Sequence, residues 1–149
     1  MPISIKFQKR FKSILEDNEY SRNELIKLIP ISQSTLSNAL SYGIIPSIKT
    51  LIKIADFFNL SIDFLLGKSD EENFEKSAST STFHQRFESL CIEKGVTHYK
   101  VAADCLFDKS CISKWFSKNF TPELEILELL CDYFKVSLDY ILGRSDFKN

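Results

Sequence analysis

Two short stretches of the chain place hydrogen-bonding side chains at helical spacing. In SQSTLSNALS, Gln33, Ser34, Ser37, Asn38 and Ser41 stand at i, i+1, i+4, i+5 and i+8, opposite the apolar Leu36, Ala39 and Leu40. In DKSCISKWFS the same places hold Lys109, Ser110, Ser113, Lys114 and Ser117, opposite Ile112, Trp115 and Phe116. Apart from Asp108, in the position of a helix cap, neither polar face carries an acid. Gln and Asn can each bond two edge atoms of adenine, and Lys can reach guanine or phosphate, so a short helix with such a face can enter a DNA major groove. A solvated helix side has the same composition, and the place of these faces in the chain must decide between the two.

That place recurs. From Phe7 to Asp70 and from Phe83 to Asp146 the halves align without a gap at an offset of 76, with 17 of 64 positions identical. The endings LSIDFLLGKSD and VSLDYILGRSD make the repeat plain. A period of that length predicts two small domains, residues 1–70 and 83–149, joined by an acidic, Ser/Thr-rich linker over residues 71–82. Glu71 to Lys76 of that linker could extend a helix.

The elements that must position the two faces read as helices. Ile3, Phe7, Phe11, Ile14 and Leu15 form one stripe in copy one, and Phe83, Phe87, Leu90 and Cys91 the matching stripe in copy two. Ser21 and Thr97 are cap residues before a second helix, and Ser32 and Asp108 before a third. Pro46 and Pro122 suit the first turn of a fourth helix, whose apolar side is Ile48, Leu51, Ile52, Ala55 and Phe58, or Leu124, Leu127, Leu130, Cys131 and Phe134. A last short helix is stopped by Gly67 or Gly143. The expected class is all-α, with five helices per copy.

Composition narrows the function. No apolar run reaches the roughly 20 residues of a membrane span, and MPISIKFQKR lacks a signal peptide's apolar stretch, so a cytoplasmic protein is expected. The cysteines Cys91, Cys105, Cys111 and Cys131 all fall in copy two, mostly opposite apolar residues of copy one, and read as small core residues. His84 and His98 have no metal-ligand partner at helical spacing, and no cofactor motif, nucleophile elbow or paired carboxylate constellation occurs, so neither a metal, a cofactor nor catalysis is expected. Trp115 stands opposite Ala39 on the apolar side and reads as core. Arg10 and Arg86 recur at one position and could bond phosphate or serve a salt bridge within the first helix. The formal net charge of −1 hides an uneven spread: residues 1–69 sum to +3, 70–82 to −3 and 83–149 to −1.

The order of elements, with cap, helix bearing Ala102, second cap Asp108, I-S-x-W, Asn119 in a position tolerant of positive φ, Pro122 and the V-S-L-D-Y-I-L-G ending, resembles the lambda-repressor-like helix-turn-helix family, the phage Cro and repressor type also called Xre-like. The resemblance covers both copies, and copy two follows the pattern more closely. It implies two tandem five-helix lambda-repressor-like domains in a DNA-binding transcriptional regulator of phage or mobile-element type, with the third helix of each copy reading bases. Carried over by position, the base-contacting residues are Gln33, Ser34 and Asn38, and Lys109, Ser110 and Lys114, with Arg22 and His98 on phosphate. Ser37, Ser113 and Lys118 complete the expected interface. Two departures stand out: Ile26 replaces the usual alanine, and Pro30 and Leu106 the frequent glycine of the turn. Proline cannot take positive φ, so the turn of copy one must differ from the family's.

The expected partner is double-stranded DNA, engaged by a homodimer or by the two copies as an intramolecular pseudo-dimer. A 12-residue linker spans at most about 40 Å, enough for reader helices one DNA turn apart. The alternative is a protein-interaction module, antirepressor or antitoxin-like, using Ile44, Ile45 and Phe120 as an apolar contact surface.

Overall fold

The computed structural model describes residues 2–78 and 81–149; Met1, and Ser79 and Thr80 of the expected linker, lie outside the described residues. Among the described residues there are ten α-helices and no strand, only an isolated antiparallel bridge between Ile3 and Ile44. The chain divides into two compact units, Met1–Phe74 and Glu75–Asn149. The first holds α1 (Ile5–Asp17), α2 (Arg22–Leu28), α3 (Gln33–Tyr42), α4 (Ile48–Phe58) and α5 (Ile62–Leu65). The second holds α6 (Phe83–Lys94), α7 (His98–Cys105), α8 (Lys109–Ser117), α9 (Leu124–Phe134) and α10 (Leu138–Ile141). The last four helices of each unit begin 76 residues apart, at Arg22 and His98, Gln33 and Lys109, Ile48 and Leu124, Ile62 and Leu138.

Hydroxyl and carboxylate caps set those starts except that of α9, where Glu123 makes no side-chain cap bond. Ser21 accepts from the Glu24 N–H while Glu24 accepts from the Ser21 N–H, a reciprocal capping box. Thr97 caps α7, Ser32 caps α3 and Asp108 caps α8, as the spacing predicts. Pro46 and Pro122 lie one residue before the caps Ser47 and Glu123, so they close the preceding loop and do not occupy the first helical turn. Gly67 and Gly143, both at φ +78°, follow the ends of α5 and α10, where a side chain would meet the backbone of Lys6 or Ser81.

Each unit has its own core. Phe7 and Phe11 stack at 5.7 Å in unit one, and Phe83 and Phe87 at 5.8 Å in unit two. Leu25, Leu36, Leu51, Ile62 and Leu65 are also buried in the first unit, and Val101, Ile112, Leu127, Leu130 and Ile141 in the second. Trp115 is buried against Phe83, Phe87 and Phe107, where copy one has Ala39. Cys91 and Cys131 are buried, and burial with the nearby Glu88 charge pushes the Cys91 thiol up to about 11. Cys105, the last residue of α7, and Cys111, in the first turn of α8, are only half-buried. Ile52, Phe58 and Phe134 are likewise half-buried, while Ile54 joins the core.

An arginine fastens the ends of each unit. Arg10 donates to the carbonyls of Phe64 (2.7 Å) and Ser69 (2.8 Å) and to Asp70 (2.8 Å), and its guanidinium lies 4.0 Å from the centre of the Phe64 ring. Arg86 repeats the pattern on Tyr140, Ser145 and Asp146. Both arginines therefore tie the first helix of their unit to its C-terminal end, and the partner lies outside the helix in which sequence reasoning looked for it. Unit two adds a buried pair, Arg144 on Asp139.

Two terminal segments behave differently from expectation. Ile3 does not extend the α1 stripe; α1 starts at Ile5 under the Ser4 cap, and Pro2–Ser4 pairs with the loop after α3 through Ser4 N to Gly43 O (2.8 Å) and Ile45 N to Pro2 O (2.9 Å). No helix forms over Glu71–Lys76. Ser77 donates from its N–H to Arg144 O (2.8 Å) and from its hydroxyl to Asp146 (2.6 Å), which pins the end of the linker to unit two.

Candidate nucleic-acid interface

The sequence of α3 alternates a buried and a polar side. Leu36, Ala39 and Leu40 are buried, and this side packs against α1. Gln33, Ser34 and Ser41 are exposed, and Ser37 and Asn38 half-buried. The Ser32 cap also bonds the Thr35 hydroxyl at 2.7 Å and lies 3.3 Å from Ser34, which holds the first turn's hydroxyls in a local chain. The helix ends at Gly43 in the left-handed conformation, φ +70°.

In unit two, Ile112 and Trp115 anchor α8 while Lys109, Ser110, Ser113, Lys114 and Lys118 are exposed. The ammonium groups of Lys109 and Lys114 make no ion pair among the described residues. Asp108 accepts from the Ser110 N–H, and its bonds to Ser110, together with the Lys114 charge, hold its carboxyl below the usual carboxylate range. Lys118 follows the helix as its C-cap, and Asn119 takes φ +52°, the left-handed turn expected there and the counterpart of Gly43.

The first residue of the second helix reaches the third helix in both copies, by different chemistry. The Arg22 guanidinium lies 3.4 Å from the Ser41 hydroxyl, exposed on the polar side of α3. His98 instead bonds Glu88 and stacks on Phe116 of α8 at 5.3 Å with an interplanar angle of 16°. Its Nε2 already has a partner, so a phosphate contact there needs the Glu88 bond to open. The second helix-two residue, Tyr99, is 65% exposed and its ring centre is 5.6 Å from Lys109 Nζ. Sequence reasoning passed over Tyr99; the signal was an aromatic two residues after the Thr97 cap.

Behind α3 and α8 a side-chain N–H donor ties down a carbonyl near the end of the helix. Gln8 donates to Leu40 O at 2.9 Å, and His84, at the equivalent position, lies 2.8 Å from Trp115 O and 3.1 Å from Phe120 O. His84 thus serves the frame of the site. The apolar residues after the readers are partly spent within the chain: Ile44 and Ile45 are half-buried against Pro2–Ser4, and Phe120 is 38% exposed. A cavity of about 520 Å³ in unit one is lined by Arg10, Asp17, Asn18, Asn59, Asp70 and Glu72 among others, and by none of the reader residues.

The turns before the readers differ as Pro30 requires. Copy one leaves α2 through an extended Ile29 (φ −121°), with the Ile31 N–H bonded back to Ile29 O at 2.8 Å. Copy two leaves α7 through Leu106 in the left-handed conformation, φ +62°.

No helix among the described residues is long and apolar enough to cross a membrane. Neither the curated proteins nor the solved structures yield a match to the chain. A family model described as helix-turn-helix matches residues 11–65, which run from the core of α1 to the end of α5 in copy one.

Proposed function

We propose that the chain is a sequence-specific DNA-binding transcriptional regulator that carries two tandem lambda-repressor-like domains and inserts α3 and α8 into the major groove of double-stranded DNA. The observation that carries this is a pair of capped helices at one register, each anchored by buried apolar residues and each turning an acid-free polar face to solvent, the first of them inside the matched helix-turn-helix segment. Gln33, Ser34 and Asn38 suit adenine-rich edges. Lys109, Ser110 and Lys114 suit guanine and phosphate, with Ser37, Ser113, Lys118 and Arg22 at the rim. Because the two faces differ, the preferred site is asymmetric, and the tethered copies act as a pseudo-dimer. Asp70 is held by Arg10, and Ser77 by Arg144 and Asp146, so each end of the linker is bonded within its own unit. The tether between the two copies keeps the effective concentration of the second reader high.

The test is selection of duplexes from a random pool by the full chain at two salt concentrations. An enriched asymmetric motif with two half-sites supports the proposal, and absence of enrichment at low salt sinks it. A second reading, a protein-interaction module, is favoured by one observation: Ile3, Ile5 and Tyr42 are each about two-thirds exposed beside the pairing of the N-terminus with the loop after α3. Ile3→Asp abolishing association with a captured protein while leaving DNA affinity unchanged would select that reading.

A further inference from the structure

We infer that Tyr99 is a positioning residue for Lys109, holding the lysine at the base edge it reads; this rests on the major-groove reading of α8. Lys109 opens α8 immediately after the Asp108 cap, and its ammonium nitrogen lies 5.6 Å from the centre of the Tyr99 ring, within the range in which a cation is drawn to an aromatic face. Tyr99 is the second residue of α7 and mostly exposed, so its ring is presented beside the reader helix without being needed in the core. The first residue, His98, is turned onto Glu88 and Phe116 and leaves this place to Tyr99. The nearest carboxylate in sequence, Asp108, is committed to Ser110.

The physical need is specific to a lysine reader. A lysine is a point charge on a flexible four-carbon stem, and it loses rotamer freedom when it is fixed on one base. An aromatic wall on one side removes part of that freedom beforehand. Copy one shows the contrast: its reader opens with the short-stemmed, uncharged Gln33, and the residue matching Tyr99 is Asn23. Tyr99 thus sharpens the base preference at one position of the copy-two half-site.

The experiment titrates the duplex enriched by the full chain with wild type, Tyr99→Phe, Tyr99→Ala, Lys109→Ala and the double variant Tyr99→Ala/Lys109→Ala. Tyr99→Ala is expected to weaken binding about 2–5-fold and to flatten preference at the same base pair that Lys109→Ala flattens. Tyr99→Phe keeps the ring and should stay close to wild type, and the double variant should bind no more weakly than Lys109→Ala. In the free chain, the Lys109 ε-methylene protons should show an upfield ring-current shift in wild type and Tyr99→Phe that is lost in Tyr99→Ala. Losses that multiply in the double variant, a Tyr99→Phe as weak as Tyr99→Ala, or an unshifted Lys109 would each overturn the inference while leaving DNA reading intact. A wild-type chain that enriches no duplex would overturn the major-groove reading itself, before any variant is compared.

Discussion

Copy one and copy two share a frame and differ in what that frame presents. Both fasten their first helix to their last residues with one arginine, and both start their last four helices at the same register. On the presented side, copy one offers amides and hydroxyls, whereas copy two offers lysines. At the end of the second helix the contrast repeats. Copy two has an ionic cluster in which Tyr133 donates to Asp104 at 2.6 Å and Lys100 pairs with Asp104 at 3.0 Å; copy one has exposed Leu28 and Phe57 in the matching places. The two units therefore share the arginine clamp and the helix register, and differ most in the side chains they turn to solvent.

The strongest way to break this comparison is to remove one core. Phe11 and Phe87 are fully buried at equivalent positions, and each truncation to Ala should cost about 3–5 kcal/mol, close to the whole stability of a domain this small. Phe11→Ala should erase one calorimetric transition and leave the other, and Phe87→Ala the reverse. Simultaneous loss of both transitions in either variant would show that the units fold as one body.

The arginine clamps give the next largest effect. Arg86→Met removes one donor each from the Tyr140 and Ser145 carbonyls and from Asp146, and should destabilise unit two by about 2 kcal/mol; Arg10→Met should cost less, since the Arg10 side chain and its Asp70 partner are more exposed. Equal losses in denaturant melts would remove that distinction. Acid gives a second readout in unit two. The Ser77 hydroxyl, then the Ala78 N–H and Arg86, hold Asp146 below the usual carboxylate range. Asp104 is lowered first by Tyr133 and then by Lys100, and Asp108 by Ser110. Folded pKa values below the unfolded value of about 3.9 mean that the unfolded chain binds more protons there. Their stabilisation is present above about pH 4 and fades as pH falls through the folded values. The melting temperature of unit two should drop from pH 5 to pH 2, with a shallower slope in Asp146→Asn; an unchanged slope would show that Asp146 is not one of the groups responsible.

The clamps also mark the limit of what the chain discloses. Caps and the polar sides of α3 and α8 were legible because they depend on residues close in sequence: Ser21 with Glu24, Ser32 with Thr35, Asp108 with Ser110. Arg10 with Asp70 is a contact across 60 residues, and only the recurrence of both residues in the repeat hinted at it. Ile3 misled because apolar periodicity continues through Ser4, which instead stops the helix by capping it. His98 was expected on phosphate from its place in the family pattern, and Glu88, on the neighbouring helix, takes its nitrogen. The proline turn was legible in kind: fixed φ at Pro30 excluded the left-handed exit that Leu106 adopts.

Base reading should separate the copies at the level of about 1–3 kcal/mol per contact. Lys109→Ala and Lys114→Ala should each lower the slope of log affinity against log salt by about one if the lysine meets phosphate. Gln33→Ala and Asn38→Ala should leave that slope unchanged and relax preference in the other half-site. Salt slopes that respond equally to all four would show that the two faces do not read differently.

The smallest effects should appear at the turns, with opposite signs. Leu106 holds φ +62° while 91% exposed, so its side chain gains little from burial and its backbone sits where an L-residue is disfavoured by about 1 kcal/mol. Leu106→Gly removes that penalty, and although glycine also widens the unfolded ensemble, the relief should leave unit two more stable by a few tenths of a kcal/mol. Pro30 follows an extended Ile29 and restricts the unfolded chain at no cost to the native turn, and its carbonyl accepts from Lys53 at 3.3 Å. Pro30→Gly should therefore destabilise unit one by about 0.5–1 kcal/mol. Chemical melts of the two variants decide the matter: the same sign in both would mean that the turns are equivalent in energy despite their different backbones, and that the proline in copy one replaced a glycine-type turn without consequence.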